Sequence, residues 1–202
     1  MTVTRRAALL SLAALPLAAC GGPAAAPPGP QGEAGVLALA AALGALGPGV
    51  DPAEAGRVAR VAYATSARLR VAYGIEDPPL VHNAKVNAGL KPRGLCYHWA
   101  EDMEAALREA VGFRTLAPLR GIANYDTPWR IEHSSVIVAA RGAGLMDGIV
   151  IDPWRAGGAL TWLPARDDAK YPWRPRLDVQ RERYREQVAR GELPPGLEDR
   201  VR

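Results

Sequence analysis

The chain has 202 residues, 49% of them hydrophobic and 23% charged, with a formal net charge of +4. That balance is too mild for a nucleic-acid partner, and no basic run interleaved with aromatic residues supports one. About 170 residues beyond the N-terminal region suffice for one domain with a real core, and no internal repeat divides them.

Arg5 and Arg6 open the chain, and Ala7 to Ala19 follow without a charge. That stretch is too short to span a bilayer as a helix but has the length and flanks of a signal peptide. It ends Leu17-Ala18-Ala19-Cys20, which resembles a bacterial lipobox, cleaved before a Cys that receives a thioether-linked diacylglyceride. The resemblance implies a signal peptide over residues 1–19 and a membrane contact through lipid on Cys20. Gly21 in place of Asp implies that the inner-membrane retention signal is absent. The expected location is therefore the cell envelope, lipid-anchored, facing the periplasm and at the outer rather than the inner membrane. Thr4-Arg5-Arg6 leaves both Sec and twin-arginine export open. Removing Arg5 and Arg6 lowers the net charge to +2. Residues 20–32, rich in Pro, Gly and Ala, read as a tether, and 33–202 as a single domain.

Val36, Leu39, Leu43 and Leu46 recur at helical spacing and end at Gly47-Pro48-Gly49. Asp51-Pro52-Ala53-Glu54 reads as a capping box with Pro at the first helical position. It opens a helix to about Tyr73, with Val58, Val61, Thr65, Leu69 and Ala72 toward the core. Leu80 to Leu90 fits either a helix or irregular structure. Gly94-Leu95-Cys96 leads into a further helix with Trp99, Met103, Leu107 and Ala110 on one face, closed by Gly112. Ser134 to Ala140 and Gly148 to Ile151 are β-rich runs joined by Arg141-Gly142-Ala143-Gly144, a hairpin signature, and Pro153 ends the second. Trp162 to Pro175 is a wrap rich in Pro and Trp. Asp178 to Arg190 forms a charged surface helix ended by Gly191. Helices first and strands later predict an α+β fold.

Cys96, His133 and Asp152 supply, in order, the residue types of thiol acyl transfer. Cys96 falls at a helix N-terminus, where unpaired N–H groups and the macrodipole favour a thiolate. His133 opens one strand and Asp152 closes the next. In a hairpin register centred on the Gly-rich turn they stand opposite each other on one face, so the imidazole reaches Cys96 with one nitrogen and Asp152 with the other. With Cys20 acylated, Cys96 is the one remaining thiol and has no disulfide partner. His98, two residues on, points roughly 200° around the helix, so it is a poor catalytic partner and either packs or lines the pocket; His82 is the other rival. Neither Cys-x-x-Cys nor His-Glu-x-x-His spacing occurs, so no metal and no cofactor are expected.

Gly94-Leu95-Cys96-Tyr97-His98-Trp99-Ala100, the His133-Ser134-Ser135-Val136 strand start and Ile149-Val150-Ile151-Asp152-Pro153-Trp154 resemble the transglutaminase-like superfamily of papain-like cysteine enzymes. The likeness covers about Leu80 to Trp154. It implies a papain/transglutaminase-like fold, with N-terminal helices and the nucleophile at a helix N-terminus packed on a small antiparallel sheet. Cys96 would be nucleophile, His133 general base and acid, and Asp152 the orienting group. The oxyanion Gln of papain has no counterpart, since Leu90 stands in its neighbourhood. The backbone N–H of Cys96 supplies one oxyanion donor, and Asn83, Asn87 or Trp99 are candidates for a second. Trp129 and Trp154, near His133 and Asp152, are candidate cleft walls. The activity implied is a cysteine protease, an amidase or a transglutaminase-like acyltransferase, with a protein or peptide of the envelope as substrate. The alternative is a noncatalytic envelope lipoprotein that keeps the fold as a binding module.

The lipobox-like ending generates the first prediction. The protein fractionates with membranes and takes up a palmitate analogue in metabolic labelling, and Cys20→Ala abolishes the label. A wild-type protein that stays unlabelled rules the anchor out.

Overall fold

The computed structural model describes residues 28–197; the signal-like segment, Cys20 and most of the expected tether lie outside the described residues. The tether's last residues lie against the domain. Tyr63 donates its hydroxyl to the Pro30 carbonyl at 2.7 Å, and Gln31 Nε2 donates to the Leu160 carbonyl.

Helix α1 (Gly32–Gly44) buries Val36, Leu39 and Leu43. Helix α2 (Pro52–Ala72) begins where Asp51 accepts a hydrogen bond from the Ala53 N–H at 2.8 Å and Pro52 takes the first helical position. Helix α3 (Pro79–Asn87) resolves the ambiguous segment, with His82 as its buried residue. Helix α4 (Cys96–Val111) begins at the expected nucleophile and ends at Gly112, whose φ of 64° needs no Cβ. Two expected core positions are corrected. Ala72 and Ala110 are exposed, and Tyr73 and Val111 are buried instead. Each stripe continues at i+4 from Leu69 and Leu107, because 3.6 residues per turn carries it one position further.

The strands are β1 (Leu116–Ala123), β2 (His133–Ala140), β3 (Ile149–Asp152), β4 (Thr161–Pro164) and β5 (Arg174–Pro175), followed by helix α5 (Arg176–Ala189). They form one antiparallel sheet in the order β4-β3-β2-β1-β5. The described chain is thus α+β, with five α-helices and a five-stranded antiparallel sheet. Val136, Val138, Ile149 and Ile151 face α1, α2 and α4, packing on Leu43, Val58 and Met103 among others. Ile137 and Val150 face the opposite way, onto Leu145, Tyr171 and Trp173. With both faces covered, β2 is buried from its first residue to its seventh.

Strand β1 holds Pro118 in its middle, a position where a ladder donor is missing. The Pro118 carbonyl accepts from Arg108 Nη2 at 3.2 Å, on the side away from β2. The missing N–H faces that same side, where β5 pairs only with Gly121 and Ile122, so no ladder bond is lost.

Glu54 departs from the capping-box expectation. Its buried carboxylate does not return to the helix start. It crosses to the entry of β1, accepting from the backbone N–H groups of Arg114, Thr115 and Leu116 and from the Thr115 hydroxyl, all at 2.9–3.0 Å. Burial raises its pKa, but these four donors outweigh that and hold it below its ordinary 4.5. Glu54→Gln replaces one anionic acceptor oxygen with an NH2 that faces N–H donors. Urea denaturation should show a loss of about 2–4 kcal/mol at neutral pH. Because the folded pKa is depressed, this stabilisation is present above about pH 4.5 and is lost as pH falls, so the gap between wild type and variant closes in acid.

Candidate active site

Strands β2 and β3 bring His133 and Asp152 together, in a register two residues from the expected one. Val136 pairs with Ile151 and Val138 with Ile149, and continuing that register sets Ser135, not His133, opposite Asp152. The shift arises in the connection: the turn after Ala140 continues into a short 3-10 helix, Leu145–Asp147, so the hairpin is not centred on the glycines. A slip of two keeps both side chains on one face. His133 reaches diagonally, and its Nε2 lies 2.5 Å from Asp152 Oδ2, both groups fully buried.

A carboxylate can only accept, so Nε2 carries the proton and Nδ1 is the basic nitrogen of the neutral ring. Nδ1 is buried and has no hydrogen-bond partner among the described residues. It lies on the backbone side of the ring, and Cys96 stands at the start of α4. The Cys96 thiol donates to the carbonyl oxygen of Glu132, the residue before β2, at 3.7 Å, and Cys96 is near enough to the imidazole to act on the His133 pKa. His133 and Asp152 therefore meet directly, and Cys96 lies beside the residue that precedes His133.

Their support was not expected from the sequence. Arg155, in the 3-10 turn Trp154–Ala156, donates Nε to Asp152 Oδ2 at 3.0 Å, and its backbone N–H donates to Oδ1 at 3.1 Å. Its other guanidinium nitrogens bind Asp168 at 2.7 and 3.3 Å, and Trp173 Nε1 also donates to Asp168. Trp154 and Tyr171 lie against the imidazole with centroids at 4.7 and 4.5 Å. The signal for Arg155 was present, three residues after Asp152; Asp168 had none.

Burial lowers the His133 pKa, but the charge and hydrogen bond of Asp152, then the thiol of Cys96, overcome it and raise it from 6.5 to about 9. For Asp152, burial acts upward and is outweighed by His133 and Arg155, which hold it near 2. The site favours an imidazolium beside an ionised carboxylate.

The other candidates separate. Trp99 is core: its Nε1 donates to the Gly94 carbonyl at 3.0 Å and its ring meets Tyr73 edge-on, so its N–H is already engaged and cannot serve an oxyanion. Asn87 is exposed at the end of α3. Asn83 accepts from Trp154 Nε1 at 3.1 Å, which leaves its NH2 to donate. Trp129 is fully exposed and, with Trp154, lines a cleft of about 470 Å³ beside the site. His98 has a capping role, its Nδ1 accepting from the Gly94 and Leu95 N–H groups at 3.2 and 3.3 Å. Burial first, and then Arg93, hold it below 6.5, which keeps the ring neutral.

The chain has no match among protein-family models, curated proteins or solved structures.

Asp152→Asn breaks a buried ionic group and should cost about 3–5 kcal/mol of stability near neutral pH. The raised His133 pKa means that its share of the stabilisation is full below pH 6.5 and is lost as pH rises through about 9. Denaturation curves of wild type and variant should therefore converge over that window.

Proposed function

We propose that the protein is an envelope lipoprotein whose transglutaminase-like domain carries out thiol acyl transfer on an amide bond of a protein or peptide. The observation that supports this reading is the orientation of His133, with Nε2–H held by Asp152, Nδ1 left without a partner among the described residues, and the Cys96 thiol on the carbonyl of the preceding residue, Glu132. A nucleophile at the start of α4, packed against an antiparallel sheet that carries His and Asp, is the arrangement expected of that fold. Among the described residues no helix is long and apolar enough to cross a membrane; the attachment proposed is the lipid on Cys20, from the lipobox-like ending Leu17-Ala18-Ala19-Cys20.

Cys96 gives its proton to His133 Nδ1, and the sulfur adds to the amide carbonyl carbon. The oxyanion that forms takes the Cys96 backbone N–H, which as the first residue of a helix has no intrahelical acceptor. Asn83 is the better of the remaining donors. The C–N bond then breaks, the imidazolium protonates the departing amine, and a thioester is left on Cys96. Water gives a proton to His133, attacks the thioester and releases the acid, while the proton returns to sulfur. An amine in place of water gives transfer instead of hydrolysis. Asp152 orients the ring and supports its charge, and Arg155 and Asp168 hold Asp152.

The noncatalytic reading draws on Leu90, which stands exposed in the neighbourhood where papain has its Gln. Alkylation separates the two. In the catalytic reading Cys96 reacts with iodoacetamide at mildly acidic pH faster than in the unfolded chain. His133→Ala removes most of that advantage, since the helix dipole alone contributes about 0.3–1 kcal/mol. Asp152→Asn affects alkylation less and turnover more. Slow alkylation at every pH, accelerated by denaturant and indifferent to His133→Ala, would falsify the catalytic reading.

A further inference from the structure

The cleft beside His133 runs between the start of α3 and the loop joining β1 to β2. Its apolar wall is unusually open: Leu80 is 54% exposed, Ile131 50% and Trp129 103%. Trp129 also holds a φ of 65°, a left-handed conformation rare for a bulky residue. The floor is Trp154 and Tyr171, both of which lie on the His133 ring, so an occupant lies one ring away from the imidazole. No carboxylate lines the cleft, whereas Arg130 and Lys170 do. Neither of these two forms an ion pair among the described residues, in contrast to Arg155, whose charge is taken by Asp152 and Asp168. Asn124 adds a third feature. It is buried, its Nδ2 donates to the Ile131 carbonyl at 3.2 Å, and its Oδ1 has no partner among the described residues. A buried acceptor left open is costly until a donor reaches it.

We propose that this cleft binds the part of a peptide substrate next to the scissile amide, and that this part is a large apolar or aromatic residue bearing or adjoining a carboxylate. Its amide N–H is given to Asn124, its side chain lies against Trp129 and Ile131, and its negative charge meets Arg130 and Lys170. The assignment rests on the thiol acyl-transfer reading for its meaning, but its binding chemistry can be tested apart from turnover.

The mature chain carrying Cys96→Ala is titrated with N-acetyl-tryptophan, N-acetyl-tryptophanamide and N-acetyl-alanine, following the Trp129 indole N–H by NMR. N-acetyl-tryptophan should bind at least about fivefold more tightly than its neutral amide, and N-acetyl-alanine the most weakly. Arg130→Gln with Lys170→Gln should erase the preference for the acid and keep the preference for the indole. Equal binding of acid and amide, or no saturable shift of the Trp129 indole, overturns the proposal. Alkylation of the wild type, run in parallel, separates the two readings. A reactive Cys96 without cleft binding rejects the substrate class alone, whereas cleft binding with an inert Cys96 supports the cleft and rejects acyl transfer.

Discussion

Asp152 Oδ2 is shared between His133 and Arg155, and the irregular half of the molecule is organised around that sharing. Four ionisable groups, His133, Asp152, Arg155 and Asp168, are withdrawn from water, at several kcal/mol per ion before compensation. Two carboxylates and one guanidinium leave a single negative charge in the chain of contacts. A proton on His133 removes it. The network therefore biases the imidazole toward its charged form by simple charge balance. The same contacts tie the start of β2, the end of β3, the turn after it and the 165–173 segment to one point. Segments without long ladders are thereby held in one conformation.

The parts of this fold legible in the sequence are those where one periodicity or one residue type is enough. Helices α2 and α4 follow from their apolar spacing and their caps, and β2 and β3 from their β-branched runs. Cys96, His133 and Asp152 stood out because few residue types can serve as nucleophile, base and orienter. The rest depends on distant partners. Leu116 to Ala123 contains Pro118, Arg120 and Gly121, and becomes a strand only because Pro118 faces an open edge. Strand β5 is two residues long, below any pattern. Asp168 acquires its role from Arg155, thirteen residues earlier, across an irregular stretch. The hairpin register departs from the glycine-centred one for a local reason: the chain inserts a 3-10 turn, Leu145–Asp147, where Gly142 and Gly144 predict a tight reversal.

Capping shows how one pattern serves two ends. Asp51 alone satisfies the Ala53 N–H, so Glu54 is released for four donors at the entry to β1. Charge-assisted bonds to several N–H groups are worth more than a single return bond at the helix start, and the longer-range option wins. At α4 the reverse occurs. His98, expected to pack or to line the pocket, is the third residue of the helix that reaches back to the residues before Cys96, a task given more often to Glu or Gln.

The position of Cys96 depends on α3, which the sequence left undecided between helix and loop. His82 Nε2 is 2.9 Å from the Arg93 carbonyl, and since a carbonyl only accepts, Nε2 donates. The ring occupies the space beside Gly94, where an added Cβ would lie 2.3 Å from it. The φ of 126° at Gly94 independently favours glycine, which has no Cβ to clash with its own backbone. His82 thus fixes the segment immediately before Cys96. The next residue, Asn83, accepts from Trp154, and Trp154 lies on the ring of His133. Two consecutive side chains of one short helix therefore reach the two halves of the site, one through the Arg93-Gly94 backbone and the other through an indole. Within a helix their relative placement is set to about 100° of rotation and 1.5 Å of rise. A displacement of α3 would move the backbone before Cys96 and the aromatic support of the imidazole together, so α3 couples the two.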